Sequence, residues 1–201
     1  MDLEQFNTPA WCIQLALERI SFPGEAWDIM DPCCGSGTIV KEVARHYPMR
    51  RVTGFDIDAT LRPGWETRPE TLGYCSVRDA LSPEPWPWES TCRMVVTNPP
   101  FSLAVPFLLR CFEEVGGGRK SGTHVLALLR LGFLGSMKRR VFWEFHQPAD
   151  VFVLPKRPAF RANSQGKPGN DYAEYAWFHW NPRASNRWAR LELEPKKRGG
   201  K

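Results

Sequence analysis

Asn98-Pro99-Pro100-Phe101 is the segment of this chain best suited to chemistry. It follows the apolar run Met94-Val95-Val96, which reads as a buried strand. The tetrapeptide is therefore expected at the strand's carboxyl end, where open α/β sheets bind ligands. It offers an amide oxygen, carbonyls without competing N–H donors, and an aromatic face. That set suits a planar substrate with an exocyclic amino group. A second cluster, Asp31-Pro32-Cys33-Cys34-Gly35-Ser36-Gly37-Thr38, has the makings of a cofactor loop. Gly35 and Gly37 allow a tight turn and a close backbone approach to a ligand. The two clusters together point to methyl transfer onto an amine, with adenine N6 foremost.

The physical case concerns the nitrogen. An aromatic amine is a poor nucleophile because its lone pair is delocalised into the ring. Two acceptors gripping both N–H bonds draw the nitrogen toward tetrahedral geometry. The Asn98 side-chain oxygen and the Pro99 carbonyl can serve, since proline supplies a carbonyl and no N–H. Phe101 can stack on the base, a contact worth about 1–3 kcal/mol. Asn98 is no strong base and need not be one, because the methylated ammonium loses its proton to water. Charge would move from a sulfonium donor to the nitrogen, so positioning and fixed dipoles carry the catalysis.

The elements that must hold these groups are legible in the pattern. A strand at Trp27-Asp28-Ile29-Met30, the glycine loop, a helix from Thr38 to His46 and a strand from Arg51 to Asp56 form a βαβ half. Asp56 lies about 20 residues past the loop, the place of an acid that binds ribose hydroxyls. Val40 breaks the GxGxxG fingerprint, which argues against NAD. Asp58 reads as a helix cap. Asp79, after a short strand at Tyr74-Cys75-Ser76-Val77, could accept from a cofactor adenine or serve as a turn acid. Ahead of these, Thr8 reads as the N-cap and Pro9 as the first turn of a helix from Ala10 to Ile20.

Further on, strands are expected at Cys92–Thr97, His124–Leu129, Asp150–Leu154 and Tyr175–Trp180, and helices at Leu103–Val115 and Met137–His146. The glycines from Gly116 to Gly118 end the first of these helices. Arg157 to Tyr172 reads as a polar loop. The alternation predicts an α/β fold with a mainly parallel central sheet and helices on both faces. One domain over 1–182 is expected, with 155–173 a lid or recognition loop and 183–201 a basic tail.

The chain has 201 residues and a net charge of +5, which favours a polyanionic partner. Its six cysteines include no CxxC pair, so zinc spacing is absent and no metal is expected. They read as small apolar residues in a reducing cytoplasm. Met1-Asp2-Leu3-Glu4 lacks a signal-peptide start, and the apolar stretch from Val125 to Leu134 is too short to span a membrane.

With these motifs in order, residues 6–180 resemble the S-adenosylmethionine-dependent N6-adenine DNA methyltransferases of small phage or prophage type. The resemblance implies a Rossmann-like class I methyltransferase fold and S-adenosylmethionine as cofactor. It assigns Phe6, Thr8 and Pro9 to the cofactor's methionine end, and Asp31, Pro32, Cys33, Gly35, Gly37 and Thr38 to the loop. Asp56 with Ile57 would hold the ribose and Asp79 with Ala80 the adenine. Asn98, Pro99, Pro100 and Phe101 would be catalytic, Asn98 also facing the cofactor. Ser102-Leu103-Ala104, Lys156 to Phe160 and Glu174 to Phe178 also look like phage-type segments.

The family often has Asp and Tyr where this chain has Asn98 and Phe101. Asn also stands there in enzymes that methylate glutamine side chains or guanine N2, so RNA and protein-glutamine substrates stay open. A non-catalytic DNA-binding protein on the same fold is the reading from another class. On duplex DNA the target adenine would be flipped out. Phosphate contacts would come from Lys138, Arg139, Arg140, Lys156, Arg157, Arg161 and Lys167, with Phe160 either bracing the base or packing in the core. The scant room for recognition predicts a short or relaxed target. The sequence leaves the oligomeric state open.

Overall fold

The computed structural model describes residues 7–20, 27–61, 73–88, 92–116, 123–162, 168–169, 172–181 and 187–190. In chain order the elements are α1 (Ala10–Leu17), β1 (Trp27–Asp31), α2 (Thr38–His46), β2 (Arg51–Asp56), β3 (Gly73–Val77), β4 (Cys92–Thr97), α3 (Ala104–Glu114), β5 (Thr123–Arg130), α4 (Arg140–Phe145), β6 (Asp150–Val153), β7 (Arg161–Ala162), β8 (Pro168–Gly169), β9 (Tyr175–Trp180) and β10 (Arg187–Arg190). Eight strands make one sheet in the order β10-β6-β9-β5-β4-β1-β2-β3. All neighbours pair in parallel except β9, which is antiparallel to both β5 and β6.

Strand alternation splits the core into two layers. Met94, Val96, Leu126, Leu128 and Trp177 pack toward α1 and α2. Val95, Val125, Ala127, Leu129 and Phe178 pack toward α3 and Phe142 of α4. A sheet covered on both faces needs strands that are apolar on both sides, which is why β4 and β5 read as continuous greasy runs. Gly54 marks where loop and helix sit down on β2. A Cβ there would lie 2.7 Å from Val40 Cγ2 and 2.8 Å from Cys34 Cβ.

Order β4-β1-β2 puts the chain's change of direction between β1 and β4, and a crevice opens at such a switch point. The carboxyl ends of β1, β2, β4 and β5 bring Asp31, Asp56, Thr97-Asn98 and Arg130 to that edge.

Four expectations are corrected. Pro9, not Thr8, is the N-cap of α1, and it carries no side-chain cap bond. The helix expected from Met137 splits into a 3₁₀ turn at Met137–Arg139 and the short α4, because the Ser136 hydroxyl caps Lys138 N. The polar loop after Arg157 contains a two-stranded ribbon of β7 and β8. Residues 187–190, read as tail, form β10 at the edge of the sheet, parallel to β6.

Candidate active site

The glycine loop is built by its own backbone. Gly35 and Gly37 adopt φ of +52° and +78°, the left-handed region that favours glycine. Gly37 is the N-cap of α2, so the loop delivers the helix's free N–H groups to the crevice. Gly35 N donates to Asp56 Oδ2 at 2.8 Å, and Asp58 N donates to Asp56 Oδ1 at 3.0 Å. Asp56 thus ties the loop to the end of β2. No atom lies within 4 Å of the position a Gly35 Cβ would take. Asp58 caps the next turn as expected, accepting from Thr60 N and Thr60 Oγ1.

Asp31 ends β1 and is buried. Its Oδ1 accepts from Cys33 N at 3.3 Å, while its Oδ2 is buried with no partner. Burial pushes its pKa up from 3.8 to about 7, although hydrogen bonds from Thr97 and Cys33 oppose the rise. Cys33 bridges to the other strand. Its Sγ lies 2.9 Å from Thr97 Oγ1 and donates to the Asn98 carbonyl at 3.4 Å. Burial, with Asp31 nearby, raises the Cys33 pKa well above the usual range, so it stays a thiol and a hydrogen-bond donor.

Asn98 is buried at the end of β4, 8% exposed. Its Nδ2 donates to Thr8 Oγ1 at 3.0 Å, and its Oδ1 is buried without a partner. Thr8, freed from capping α1, orients the amide instead. Pro99 is buried beside it and Pro100 is half-buried. The Phe101 ring meets Tyr175 at 5.5 Å and Phe160 at 6.3 Å between centroids. The Arg130 guanidinium lies over it, 4.7 Å from the ring centroid.

The far end of the crevice is more open. Ile57, next after Asp56, is 54% exposed. Asp79 is exposed and accepts from Leu81 N, a turn-acid contact. Ala80 is buried, and its carbonyl accepts from Trp86 Nε1 at 3.2 Å, which pins this turn. Thr38 begins α2, where its hydroxyl lies 3.1 Å from Ser36 Oγ. Pro32 is buried under the loop.

The basic residues divide. Arg139 turns inward: its guanidinium donates to the carbonyls of Gly132, Phe133 and Gly135 and lies over the Phe133 ring. It clamps its own loop through Nε and one terminal nitrogen. Arg140 pairs with Glu144, and Arg157 with Glu174. Lys156 is exposed and its ammonium stands 4.8 Å from the Trp11 ring centroid. Lys138 is exposed. Phe160 is 4% exposed and packs edge-on against Tyr175, so it supports Phe101 from the core and does not face solvent. Phe6, Lys167 and the Arg161 side chain lie outside the described residues. Among the described residues no group of three His, Cys, Asp or Glu could hold a metal, and no helix is long and apolar enough to cross a membrane.

Thr97, Gly54 and Arg130 were not singled out from the sequence. Their signals were a glycine inside a strand pattern and a cation ending an apolar strand.

No family model matches the chain, and no curated protein sequence matches it. Solved structures do. Atu636 of Agrobacterium tumefaciens, a predicted O-methyltransferase, aligns with TM-score 0.60 and 14% identity, covering 90% of this chain and 86% of that one. The 23S rRNA methyltransferase ErmE aligns with TM-score 0.56 and 14% identity, covering 91% and 71%. A TehB-like SAM-dependent methyltransferase of Corynebacterium glutamicum aligns with TM-score 0.50 and 14% identity, covering 84% and 85%. The chain has the Rossmann-like class I methyltransferase fold. Within that fold, Asp31 and Asn98 flank the crevice at the switch point, each presenting a buried oxygen without a partner.

Proposed function

We propose that this protein transfers a methyl group from S-adenosylmethionine to the N6 amine of adenine in double-stranded DNA, with the target base extruded and a short or relaxed target sequence. The observation that carries this reading is the unpartnered Asn98 Oδ1, held by the Thr8 hydroxyl on the amide's other side. A buried acceptor left without a donor costs about 1–3 kcal/mol, so it is kept for a ligand that brings the donor. An exocyclic amine brings two.

The residues present fit the cofactor. Asp31 Oδ2 suits an ammonium group, Gly35 leaves room for a close approach, and exposed Ile57 suits one face of a purine. Asp56 and Asp79 retain acceptor capacity for hydroxyl and amine donors, since each carboxylate oxygen accepts more than one bond. When bound, S-adenosylmethionine supplies an electrophilic methyl on a positively charged sulfur.

The chain's own groups then position the amine. Asn98 Oδ1 and the Pro99 carbonyl accept its two N–H bonds, and Phe101 stacks on the ring. Cys33 donates to the Asn98 carbonyl and Thr8 accepts from the amide, so the acceptor is fixed before the substrate arrives. The excess proton leaves to water.

RNA is the second reading. It is favoured by the likeness to ErmE, an rRNA methyltransferase, and by the chain's net charge of +5, which does not separate the two nucleic acids. Labelled methyl transfer to unmethylated DNA and to RNA, followed by nucleoside mass analysis, tests both. N6-methyladenine in DNA supports the proposal; label confined to RNA replaces it with the second reading.

A further inference from the structure

We infer that Thr97 is a positioning residue for the transfer, an inference that rests on the function proposed above. Its hydroxyl ties the acid that receives the cofactor to the amide that receives the acceptor amine, and so sets the distance between the two.

The link stands where the backbone stops holding the two strands together. The last register pair of β1 and β4 is Met30 with Val95. Asp31, Thr97 and Asn98 lie beyond it, on the two sides of the crevice. Thr97 closes β4 after the apolar run Met94 to Val96 and is 0% exposed. A hydroxyl buried so deeply needs a partner. Cys33 Sγ lies 2.9 Å from Thr97 Oγ1. A hydrogen bond from Thr97 also reaches the Asp31 carboxyl and counters the rise in pKa that burial imposes there.

Cys33 carries the link onward. Its N–H donates to Asp31 Oδ1 at 3.3 Å, and its thiol donates to the Asn98 carbonyl at 3.4 Å. With the Thr97 proton directed at Asp31, the single S–H is shared between the Thr97 oxygen and the Asn98 carbonyl. The network thus runs from Asp31 through Thr97 and Cys33 to the Asn98 backbone. The Asn98 side chain is held separately, by Thr8. The two unpartnered oxygens, Asp31 Oδ2 and Asn98 Oδ1, are carried by one connected set of hydrogen bonds. Methyl donor and amine meet in line only while these anchors keep their separation, and a misplacement of about 1 Å can cost about 100-fold in rate. Valine would fill the space of Thr97 without its bonds, whereas serine would keep the hydroxyl.

The test compares wild type, Thr97→Val, Thr97→Ser, Cys33→Ala and the double variant Thr97→Val with Cys33→Ala in methyl transfer to DNA. Cofactor affinity by calorimetry and thermal melting are measured alongside, at about pH 9 so that Asp31 is ionised throughout. Thr97→Val should lower kcat about 10-fold, while cofactor Kd moves by less than about twofold. Melting should hold, because an apolar side chain of the same shape replaces the buried hydroxyl. Thr97→Ser should return most of the rate. Cys33→Ala should lose about as much as Thr97→Val, and the double variant no more than either, since both break one bridge. Full kcat in Thr97→Val, no recovery in Thr97→Ser, or losses that add in the double variant overturns the inference alone. Cofactor affinity or melting that falls in step with kcat also overturns it, leaving Thr97 a residue of the fold. Wild type that transfers no methyl to DNA overturns the proposed function and this inference together.

Discussion

Strand β5 begins in one buried polar cluster, a second lies where β1 and β4 end, and the two behave oppositely. At its start, His124 Nδ1 lies 2.8 Å from His179 Nε2, and His179 Nδ1 lies 3.0 Å from Asp150 Oδ2. His124, His179 and Asp150 are buried, at 5%, 4% and 8% exposure, and form a continuous hydrogen-bonded chain across β5, β9 and β6. In the second, at the carboxyl edge of the sheet, the crevice holds Asp31, the last residue of β1, and Asn98, which follows β4. These are equally buried, yet Asp31 Oδ2 and Asn98 Oδ1 have no partner. They are the carboxyl and carboxamide oxygens left so among the described residues. Burial of polar groups does not by itself mark a site. A paired cluster joins strands, whereas unpaired acceptors converging on a crevice are held ready for donors that arrive from outside.

The difference can be sharpened by removing one group from each cluster. The largest effect is expected from Asn98→Ala. Turnover should fall by about 10²–10³-fold, the scale of losing a preorganised polar contact at the reacting atoms. Cofactor affinity measured by calorimetry and the melting temperature should hold. A variant that melts early and keeps its turnover would place Asn98 with the structural cluster.

Asp150→Ala should do the reverse. It leaves His179 buried beside His124 without its acceptor, so urea titration should show a loss of about 2–4 kcal/mol. Turnover per folded molecule should be unchanged. The same cluster sets an acid limit. Burial, reinforced by His179, lowers the His124 pKa from 6.5 to about 3. The unfolded chain then binds more protons than the folded one, so this contribution is present above pH 6.5 and is lost as pH falls through about 3. Losing turnover at constant stability would move the chain of histidines into the catalytic account.

Asp31→Asn should have a smaller, two-sided effect. Burial raises the Asp31 pKa to about 7, so its contribution to stability is fully present below pH 3.8 and is lost as pH rises through about 7. Replacing the carboxylate should therefore stabilise the cofactor-free protein at and above pH 7, by roughly 1–3 kcal/mol. Cofactor affinity should fall, and it should lose the decline that wild type shows as pH drops below about 7. A destabilised Asp31→Asn with full cofactor affinity would make Asp31 a structural residue like Asp150.

The sequence foretold what local pattern controls. The bounds of β2, β4, β9 and α2 match the apolar runs and turn signals that bracket them. Gly35, Gly37 and Asp56 were legible because a left-handed turn and a strand-end acid leave a fixed spacing in the chain. Pairings across long stretches were not legible. Thr8 looked like a helix cap, since nothing local shows that Asn98, 90 positions on, claims its hydroxyl. The Arg139 clamp was not legible either, because charge says nothing of three carbonyls that a particular loop turns inward. The His124–His179–Asp150 chain joins three separate strands, so no window of sequence contains it. Strand β10 lies in a polar, basic stretch, and its parallel pairing with β6 has no local signature.

The central claim is that the unpaired oxygens at the carboxyl edge serve methyl transfer. It is tested most directly by incubating wild type and Asn98→Ala with labelled S-adenosylmethionine and unmethylated DNA, then analysing the nucleosides by mass. The account predicts N6-methyladenine with wild type and about 10²–10³-fold slower incorporation with Asn98→Ala, both proteins binding the cofactor. Equal incorporation by both proteins, or none by wild type that binds the cofactor, would contradict it.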